Sequence, residues 1–479
     1  MPNEPSEGTT RRQFAAQTAG AALAPGLMLG AAQTTGERPN VIMLLIDDQR
    51  WDSLGCMGNP IVRTPHIDKL AARGVTFNNH FVTTSICMTS RATFFTGLYA
   101  RAHGINDFQT PFTAAQMART YPEMMRQAGY HAGLIGKYGV GNKMPEDHFD
   151  YWRGFPGQGH YYQERKDGSF VHLTELMGDQ AIEFLQGAPK EKPFCLSISF
   201  KASHVQDEDP RQFLYDPAHA DWYKDVRIPP PKKADPKYIS ALPVEVQRSE
   251  SRRRWAVRFG TPELYEESVR SYYRLITEVD DVVGRIWAEL ERMGAASNTI
   301  IVYAGDNGFY LGERGLAGKW YMHEESIRTP LIVYDPRLPQ SRRGSRQDEM
   351  VLSIDVAPTL LHAAGLTPHP SVNGRNLQAL LEGQRVAWRN EWFYEHNFRH
   401  DWIPQTEGIR TERWKYTRYI DTAPVFEELY DLRNDPEEET NLAGQAAHAG
   451  QLEAMRARWQ TWRASLQAWS PDKPWKEPA

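Results

Sequence analysis

The chain has 479 residues, with 55 lysines and arginines against 60 aspartates and glutamates, and a formal net charge of −5. Hydrophobic residues make up 41% of the chain, enough for a sizeable core, which excludes a disordered or fibrous protein. The mildly acidic balance, without a long basic run, argues against nucleic acid as a partner. The chain has three cysteines, Cys56, Cys87 and Cys195. Three is a small and odd number, which argues against a disulfide framework.

The N-terminal residues have the pattern of an export signal. Arg11 and Arg12 precede Phe14, and an uncharged run rich in alanine and glycine covers residues 15–32. Consecutive arginines before such a run are typical of a twin-arginine signal, which a bacterial export system reads. We predict a signal peptide at residues 1–32 and an exported bacterial protein, periplasmic or extracellular. No other stretch reaches the ~18 apolar residues of a membrane span, so we expect no transmembrane segment in the mature chain.

Five apolar runs of strand length each lead into polar residues or glycine. They cover residues 41–46, 131–135, 194–200, 299–304 and 331–334. Continuous rather than alternating apolar character indicates strands that are buried on both faces of a mostly parallel sheet. Open sheets of this kind bind ligands beyond the carboxyl ends of their strands. The predicted fold class is α/β, with a large, mostly parallel central sheet flanked by helices.

The longest predicted helix covers residues 262–293. Thr261 can cap its start, and apolar residues recur along it at steps of three and four. Asp280 and Asp281 lie in the middle of this helix. A paired carboxylate could be catalytic, but this placement favours a structural or surface role.

The character of the chain changes towards its C-terminal end. Shorter and more amphipathic strands are predicted at residues 391–395, 408–420 and 426–431, and a helix with one apolar face follows them. We therefore predict a catalytic domain over residues 38–371 and a smaller α+β domain over residues 372–479.

Two pairs of oxygen-bearing side chains follow two of the predicted strands. Asp47 and Asp48 come directly after the first strand, and Asp306 and Asn307 follow the strand at 299–304. Carboxylate and amide oxygens suit a hard cation such as Ca²⁺ or Mg²⁺, and the absence of His or Cys beside them argues against zinc. One pair alone would be explained better as a helix cap. Two pairs at the ends of two strands predict a metal site.

A further group of residues begins at Cys87. The chain reads CMTSRATFFTG from Cys87 to Gly97, with Ser90 and Arg91 close to the cysteine. A lone cysteine is usually a small packing residue, but this one stands where a helix would begin, with the positive end of the helix facing the site. The pattern C-x-x-S-R-x-x-x-x-T-G resembles the signature of the type I sulfatases, the formylglycine-dependent family of the alkaline phosphatase superfamily.

The resemblance extends along most of the chain after residue 38. Segments similar to those of the family lie at residues 40–48, 64–71, 136–137, 204, 305–308, 318–330 and 429–436. Two positions depart from the family pattern. Thr89 stands where the family commonly has Pro or Ala, and Gly139 stands where the family usually has a His that helps to break down the sulfated intermediate.

The resemblance implies a mechanism and a set of residues that perform it. A maturation enzyme would convert Cys87 to formylglycine, whose hydrate attacks the sulfur of a sulfate monoester. Arg91 would hold the nucleophile, while Lys137 and Lys319 would bind the transferring group. His204 would protonate the departing alcohol. The implied ligands of a bound Ca²⁺, or alternatively Mg²⁺, are Asp47, Asp48, Cys87, Asp306 and Asn307.

The substrate is harder to predict than the reaction. A sulfated carbohydrate is the expected substrate of an exported enzyme of this kind, and His323, His396 and His400 are candidates for binding it. Two alternatives stay open from the sequence. One is a phosphonate monoester hydrolase or phosphodiesterase of the same superfamily, and the other is a catalytically silent protein that binds sulfated glycans.

Overall fold

The computed structural model describes residues 38–467, 470 and 474–478. The predicted signal peptide lies outside these residues, so it stays a prediction, as does the domain boundary after residue 371. Among the described residues, no helix combines the length and the apolar character needed to cross a bilayer.

An eight-stranded sheet forms the centre of the structure. Its strands are β1 (Asn40–Ile46), β2 (Val75–Phe77), β3 (His131–Lys137), β4 (Tyr151–Phe155), β5 (Phe194–Ser199), β6 (Thr299–Gly305), β7 (Leu331–Tyr334) and β8 (Ser345–Gln347). They lie in the order β8-β2-β7-β6-β1-β5-β3-β4. The pairings are parallel except for those of β7, which runs antiparallel to β2 and β6. The predicted α/β class with a mostly parallel sheet is confirmed.

Both faces of the central sheet are buried, as the continuous apolar runs predict. In β1, Ile42 and Leu44 belong to the hydrophobic core on one face, while Met43 and Leu45 belong to the core on the other. Neighbouring side chains of a strand point to opposite faces, so a strand between two cores needs apolar residues at every position.

Helices cover the sheet and connect its strands. In chain order they are α1 (Pro65–Arg73), α2 (Cys87–Thr96), α3 (Ala100–His103), α4 (Ala114–Met117), α5 (Tyr121–Gln127), α6 (Leu173–Gly187), α7 (Pro236–Ser240), α8 (Val244–Gln247), α9 (Glu250–Phe259), α10 (Pro262–Arg292), α11 (Glu324–Ile327), α12 (Val356–Ala363), α13 (Gln378–Leu381) and α14 (Ala449–Gln467). Three short two-stranded ladders join loops, pairing residues 80–81 with 351–352, 162–164 with 170–172, and 310–311 with 317–318.

Helix α10 matches the long helix predicted at residues 262–293. The Thr261 side chain accepts a hydrogen bond from the backbone N–H of Leu264, as a cap should. Asp280, in the middle of α10, accepts the backbone N–H groups of His66 (3.1 Å) and Ile67 (2.7 Å) at the start of α1. Asp280 thus fixes one helix against another, which is the structural role expected of it.

A four-stranded antiparallel sheet follows the central sheet in the chain. Its strands are β9 (Glu391–His396), β10 (Thr406–Thr411), β11 (Trp414–Tyr419) and β12 (Phe426–Asp431), in that order. Helix α14 packs against it through apolar residues such as Met455 and Trp462. The smaller antiparallel sheet is as predicted, but the single strand predicted at 408–420 is wrong, because a turn at residues 412–413 divides it into β10 and β11.

Candidate active site

The carboxyl ends of four neighbouring strands bring the predicted site residues to one edge of the central sheet. Asp47 follows β1, Asp306 follows β6, Lys137 is the last residue of β3, and His204 lies in the loop after β5. These four strands are adjacent in the order β6-β1-β5-β3. Their carboxyl ends therefore form one polar cluster in the crevice where open α/β sheets bind ligands.

Cys87 is the first residue of α2 and points into this cluster. Its thiol donates a hydrogen bond to Asp47 Oδ1 at 3.2 Å, and Lys319 Nζ lies 3.0 Å from Sγ. Burial raises the pKa of the Cys87 thiol to about 12, and the charge of Asp47 adds to this effect. The unmodified side chain is therefore a neutral thiol at neutral pH, and it is a poor nucleophile because the thiolate is the reactive form.

Three of the metal ligands expected from the sequence, Asp47, Asp48 and Cys87, lie together with His204. The ligand atoms of Asp47, Asp48, Cys87 and His204 are all within 4.8 Å of one another, and all four residues are buried. Asn307 donates its amide N–H to Asp48 and to the Gly308 carbonyl, whereas its Oδ1 has no hydrogen-bond partner among the described residues. A buried carbonyl oxygen without a donor, beside acidic side chains, fits a hard cation.

Asp306 completes this oxygen-rich group. Its Oδ1 accepts the backbone N–H of Asp48 at 3.1 Å, and its Oδ2 accepts from Arg91 Nε at 3.0 Å. Burial, together with the negative charge of Asp47, raises the pKa of Asp306 to about 7. Burial likewise raises the pKa of Asp48. A cation bound among these carboxylates would relieve both effects.

Three basic side chains counter the carboxylates. Arg91 Nη2 lies 3.3 Å from Asp47 Oδ2, Lys137 Nζ donates to the same oxygen, and Lys319 Nζ donates to Asp48. Burial by itself raises the pKa of Asp47, but the nearby positive charges, led by Lys137, outweigh it and hold that pKa well below its ordinary value. The site therefore contains three cationic side chains within contact distance of its carboxylates.

His204 has a defined tautomer. Its Nδ1 lies 2.6 Å from the Val205 carbonyl oxygen, which can only accept, so Nδ1 carries the proton. Its Nε2 lies 3.7 Å from Asp48 Oδ2 and faces the site. Burial lowers the pKa of His204 well below its ordinary value, and the charges of Lys319 and Lys137 add to this effect.

Two polar residues of this site had no role assigned to them from the sequence. Lys201 is buried beside His204, donates to the same Val205 carbonyl at 3.0 Å, and lies 4.9 Å from the centre of the Tyr161 ring. Burial lowers its pKa to about 8, with the charge of Lys137 as the next cause. The strand before Lys201 was predicted from the sequence. The position of Lys201 just after β5 could therefore have indicated that it lies in the site.

Gln158 is the second of these residues. Its Oε1 accepts a hydrogen bond from Lys137 Nζ at 2.6 Å. It comes from the glycine-rich loop between β4 and the ladder at 162–164, in which no sequence pattern singled out the glutamine.

The two departures from the family pattern are accommodated by local packing. Thr89 is buried and donates its hydroxyl to the Ile105 carbonyl at 3.0 Å. A Cβ atom added to Gly139 would lie 2.6 Å from Arg91 Cδ, so the arginine occupies the space beside residue 139.

The three histidines expected to contact substrate have different surroundings. His323 is buried, with Tyr310 Oη 2.6 Å from Nδ1 and Glu428 Oε1 3.3 Å from Nε2, which favours a structural role over the predicted contact with substrate. His396 is also buried, and neither of its ring nitrogens has a hydrogen-bond partner in the described ranges. His400 is exposed.

The sequence and the fold were compared with known proteins. The sequence profile of the family described as Sulfatase matches residues 39–366. A second profile, described as N-sulphoglucosamine sulphohydrolase, C-terminal, matches residues 312–465. Together these matches include the central sheet, the polar cluster and the antiparallel sheet.

Individual relatives cover most of the chain. An N-acetylglucosamine-6-O-sulfatase of Bacteroides thetaiotaomicron is 28% identical over 482 residues, covering 86% of this chain and 84% of the relative. A protein solved in complex with its substrate D-glucosamine-2-N,6-O-disulfate is 25% identical, with a TM-score of 0.79 over 91% of this chain and 100% of its own. A phosphonate monoester hydrolase from Silicibacter pomeroyi, 23% identical, shares the fold with a TM-score of 0.75 over 89% of this chain and 95% of its own.

The family profile alone covers well over half of the chain and contains every residue of the polar cluster. The chain therefore belongs to the sulfatase family, a family of sulfuric ester hydrolases.

Proposed function

We propose that this protein hydrolyses sulfate monoesters of a sulfated carbohydrate, using a formylglycine made from Cys87 and a bound Ca²⁺. The observation that carries the proposal is the position of Cys87, which begins α2 with its sulfur between Asp47 Oδ1 (3.2 Å) and Lys319 Nζ (3.0 Å). As a thiol, this side chain has no evident role there. As a formylglycine, it would stand where metal, cations and substrate meet.

The side chains of the cluster offer the oxygen ligands that such a cation takes. Asp47, Asp48, Asp306 and Asn307 would hold the cation, together with an oxygen of the modified residue 87. The oxygen ligands suit Ca²⁺, with Mg²⁺ as the alternative. The bound cation and the hydrated aldehyde supply Lewis acidity and a nucleophilic hydroxyl group, respectively.

The side chains of the chain itself would bind and orient the sulfate group. Lys137 is paired with Asp47 and Lys319 with Asp48, so their ammonium groups would stand beside the sulfuryl group of a substrate at residue 87. Arg91 is buried and held by Asp306 and by the Lys137 carbonyl at 2.5 Å, which fixes it beside residue 87. These fixed donors would stabilise the charge that develops on the sulfuryl group.

His204 would serve the leaving group. Its Nδ1–H is held by the Val205 carbonyl, so Nε2 is the nitrogen that would exchange a proton with the substrate. A proton on Nε2 is disfavoured by burial and by Lys319 and Lys137. The negative charge of a bound sulfate ester would offset the two lysines and allow His204 to protonate the departing alcohol.

The charges of the site suit an anionic substrate. Asp47, Asp48 and Asp306 contribute −3, and Arg91, Lys137 and Lys319 contribute +3. A divalent cation would add +2, so a sulfate monoester with a single negative charge would enter a site of net positive charge.

The proposed substrate class and location rest on different grounds. A sulfated carbohydrate is proposed because relatives across nearly the full length are a sulfatase of N-acetylglucosamine and a protein with a disulfated glucosamine as substrate. Export to the periplasm or the extracellular space is proposed from the arginine pair and the apolar run within residues 1–32. A formylglycine-generating maturation enzyme would be a partner of the unfolded chain.

The decisive test is the chemical state of residue 87. We would produce the protein in a host with a formylglycine-generating system and measure the mass of the tryptic peptide from Gly74 to Arg91. We expect an aldehyde at position 87, together with sulfate release from 4-nitrophenyl sulfate that is lost in Cys87→Ala. An intact thiol, with no turnover, would contradict the proposal.

The same preparation distinguishes the two rival functions. If 4-nitrophenyl phosphate diesters or phosphonates react faster than 4-nitrophenyl sulfate, the protein is a phosphonate or phosphodiester hydrolase with this fold. If sulfated glycans bind equally well to the wild type and to Cys87→Ala, and the wild type releases no sulfate, it is a glycan-binding protein.

A further inference from the structure

Two arginines of α9 lie on tryptophan rings beside the active site. The Arg253 guanidinium is 4.7 Å from the centre of the Trp402 ring, and that of Arg254 is 5.2 Å from the centre of the Trp320 ring. We call these four residues the arginine rim. The Arg253 side chain is 61% exposed and that of Arg254 is 25% exposed, so a ligand can reach both.

The arginine rim is connected directly to the catalytic residues. Trp320 follows Lys319 in the chain and packs with Ile86 and Met88, which flank Cys87, and with Ile403. The backbone N–H of Glu250, at the start of α9, donates to the Trp402 carbonyl at 2.9 Å. The arginine rim therefore lies beside the segment around Cys87, and one of its tryptophans, Trp320, shares a hydrophobic cluster with Ile86 and Met88.

The rim contacts the chain segment that follows His204. Asp207, three residues after His204, lies 3.4 Å from Arg254 Nη1 and 2.6 Å from Arg258 Nη2. Since His204 would protonate the leaving alcohol, Asp207 and Arg254 would lie near a sugar that is bound beside His204. The arginines are thus placed to contact the sugar rather than the sulfuryl group.

Positive charge exceeds negative charge in this region. Arg253, Arg254 and Arg258 are opposed by Asp207 and Glu250, and Glu250 lies 2.8 Å from Arg254 but only 4.0 Å from Arg253. Arg258 is buried and its Nη1 has no hydrogen-bond partner among the described residues. Burial, and next the charge of Arg254, lower the pKa of Arg258 to about 10. These five side chains therefore carry one unbalanced positive charge.

We propose that Arg253 and Arg254 bind a second anionic group of the substrate, a sulfate or a carboxylate on the sugar that carries or adjoins the sulfate being removed. The inference rests on the proposed function, which places the sulfate monoester at Cys87. The inference narrows the substrate class to glycans with more than one negative charge. The two tryptophan rings would hold the guanidinium groups in position.

Binding to an inactive protein tests the inference apart from turnover. In a Cys87→Ala background, we would measure by calorimetry the affinity for a heparin-derived tetrasaccharide and for its carboxyl-reduced form. The variants would be Arg253→Gln, the pair Arg253→Gln with Arg254→Gln, and Arg343→Gln, which removes an exposed arginine near β8 at the far edge of the sheet.

We expect the paired variant to bind the tetrasaccharide about tenfold or more weakly, since two charge-assisted contacts are lost. Arg343→Gln should change the affinity by less than about twofold, because distant exposed charges are screened. An equal loss for both probes identifies a sulfate as the second group, and a loss for the native tetrasaccharide alone identifies a carboxylate. If the paired variant binds both probes as tightly as Arg343→Gln does, the inference is wrong.

Two controls distinguish the loss of an anion contact from misfolding of the paired variant and from failure of the proposed function. Among the described residues, the Arg253 side chain is held by Trp402 and, at 4.0 Å, by Glu250, so Arg253→Gln alone should fold even if the paired variant does not, and it should still weaken binding about threefold. In proteins that keep residue 87, removal of both rim arginines should reduce sulfate release from the tetrasaccharide more than it reduces hydrolysis of 4-nitrophenyl sulfate, which carries no second anion. Absence of that hydrolysis in the wild type contradicts the proposed function and leaves the binding result to decide the inference.

Discussion

The side chain of Arg91 occupies the space in which a side chain at Gly139 would lie. A Cβ atom on Gly139 would be 2.6 Å from Arg91 Cδ, and Gly139 has φ +76°. Both features require glycine at this position, since other residues rarely adopt such a backbone conformation and a Cβ atom would displace the arginine. The missing family histidine and the position of Arg91 are therefore one feature of the site.

Gly139→Ala should reduce both activity and stability. We expect the positive φ to cost about 1–2 kcal/mol in the free energy of unfolding, and the displacement of Arg91 to lower kcat further. The matched control is Gly365→Ala, where φ is +74° and nothing lies within 4 Å of an added Cβ atom. The control should lose stability alone. Equal kcat values for the two variants, measured beside thermal unfolding, would mean that Arg91 is not displaced.

Much of the fold could be predicted because strands that are buried on both faces are made of continuous apolar residues. The strands β1, β5 and β6 lie between two cores, so their apolar runs mark their bounds to within a residue or two. The direction of a strand relative to its neighbours cannot be predicted from its apolar residues. The run at β7 looks like the others, although it runs antiparallel to its neighbours. Similarly, the turn between β10 and β11 contains no glycine or proline, so the two strands were predicted as one.

The site was predictable where a strand end or a family segment marked it. Asp47, Lys137 and Asp306 stand at strand ends, and their contacts follow from the order of the strands. Gln158 could not be found in this way, because it reaches Lys137 from a loop whose course depends on the tertiary structure. The burial of His323 could not be predicted either. Its partner Tyr310 lies thirteen residues away in the chain, and its partner Glu428 lies 105 residues away, in the antiparallel sheet.

Removal of a divalent cation should inactivate and destabilise the protein. Treatment with EDTA should abolish sulfate release and lower the unfolding temperature. Without the ion, the negative charges of Asp47, Asp48 and Asp306 would be buried close together and would destabilise the folded state. Added Ca²⁺ should restore both, with about 2.7 kcal/mol of stabilisation at a hundred times its dissociation constant. Differential scanning calorimetry over a range of Ca²⁺ concentrations measures this.

Asn307 provides a variant with a matched control for the same prediction. Asn307→Ala removes the buried Oδ1 that has no hydrogen-bond donor, so more Ca²⁺ should be needed to reach the same unfolding temperature. Asn142→Ala, which changes an exposed asparagine bonded to Gln109, should respond to Ca²⁺ as the wild type does. An unfolding temperature that is indifferent to Ca²⁺ in all three proteins would refute the metal site.

Asp280→Asn should lower stability and leave kcat unchanged. The carboxylate accepts two backbone N–H groups of α1, and an amide offers a single acceptor oxygen, so one buried N–H would lose its partner at a cost of about 1–3 kcal/mol. Asp281→Asn, at the neighbouring exposed position, should change stability by about 0.5 kcal/mol or less. Urea denaturation and steady-state kinetics of both variants make the comparison. A large fall in kcat for Asp280→Asn would instead indicate a role in the reaction.

His103 should make the protein less stable in acid. Its ring is buried, Nδ1 accepts the backbone N–H of Ile105 at 3.0 Å, and Nε2 lies 3.2 Å from Thr93 Oγ1. Burial lowers its pKa from 6.5 to about 3. In the unfolded chain the imidazole gains a proton below about pH 6.5, whereas in the folded protein it stays neutral until about pH 3. The unfolded state therefore binds more protons in this window, and stability is full above pH 6.5 and falls as the pH drops towards 3.

His103→Asn should reduce this loss, because the Asn carbonyl can still accept from Ile105 but does not titrate. Between pH 6.5 and pH 5 the difference amounts to about 2 kcal/mol at 1.36 kcal/mol per pKa unit. The measurement is the free energy of unfolding in urea at both pH values for the wild type, His103→Asn and His362→Gln, which replaces an exposed histidine of α12. His362→Gln should keep the wild-type dependence on pH. If His103→Asn keeps it as well, His103 is protonated in the folded protein at pH 5, and its hydrogen bond to Ile105 must then break as the pH falls.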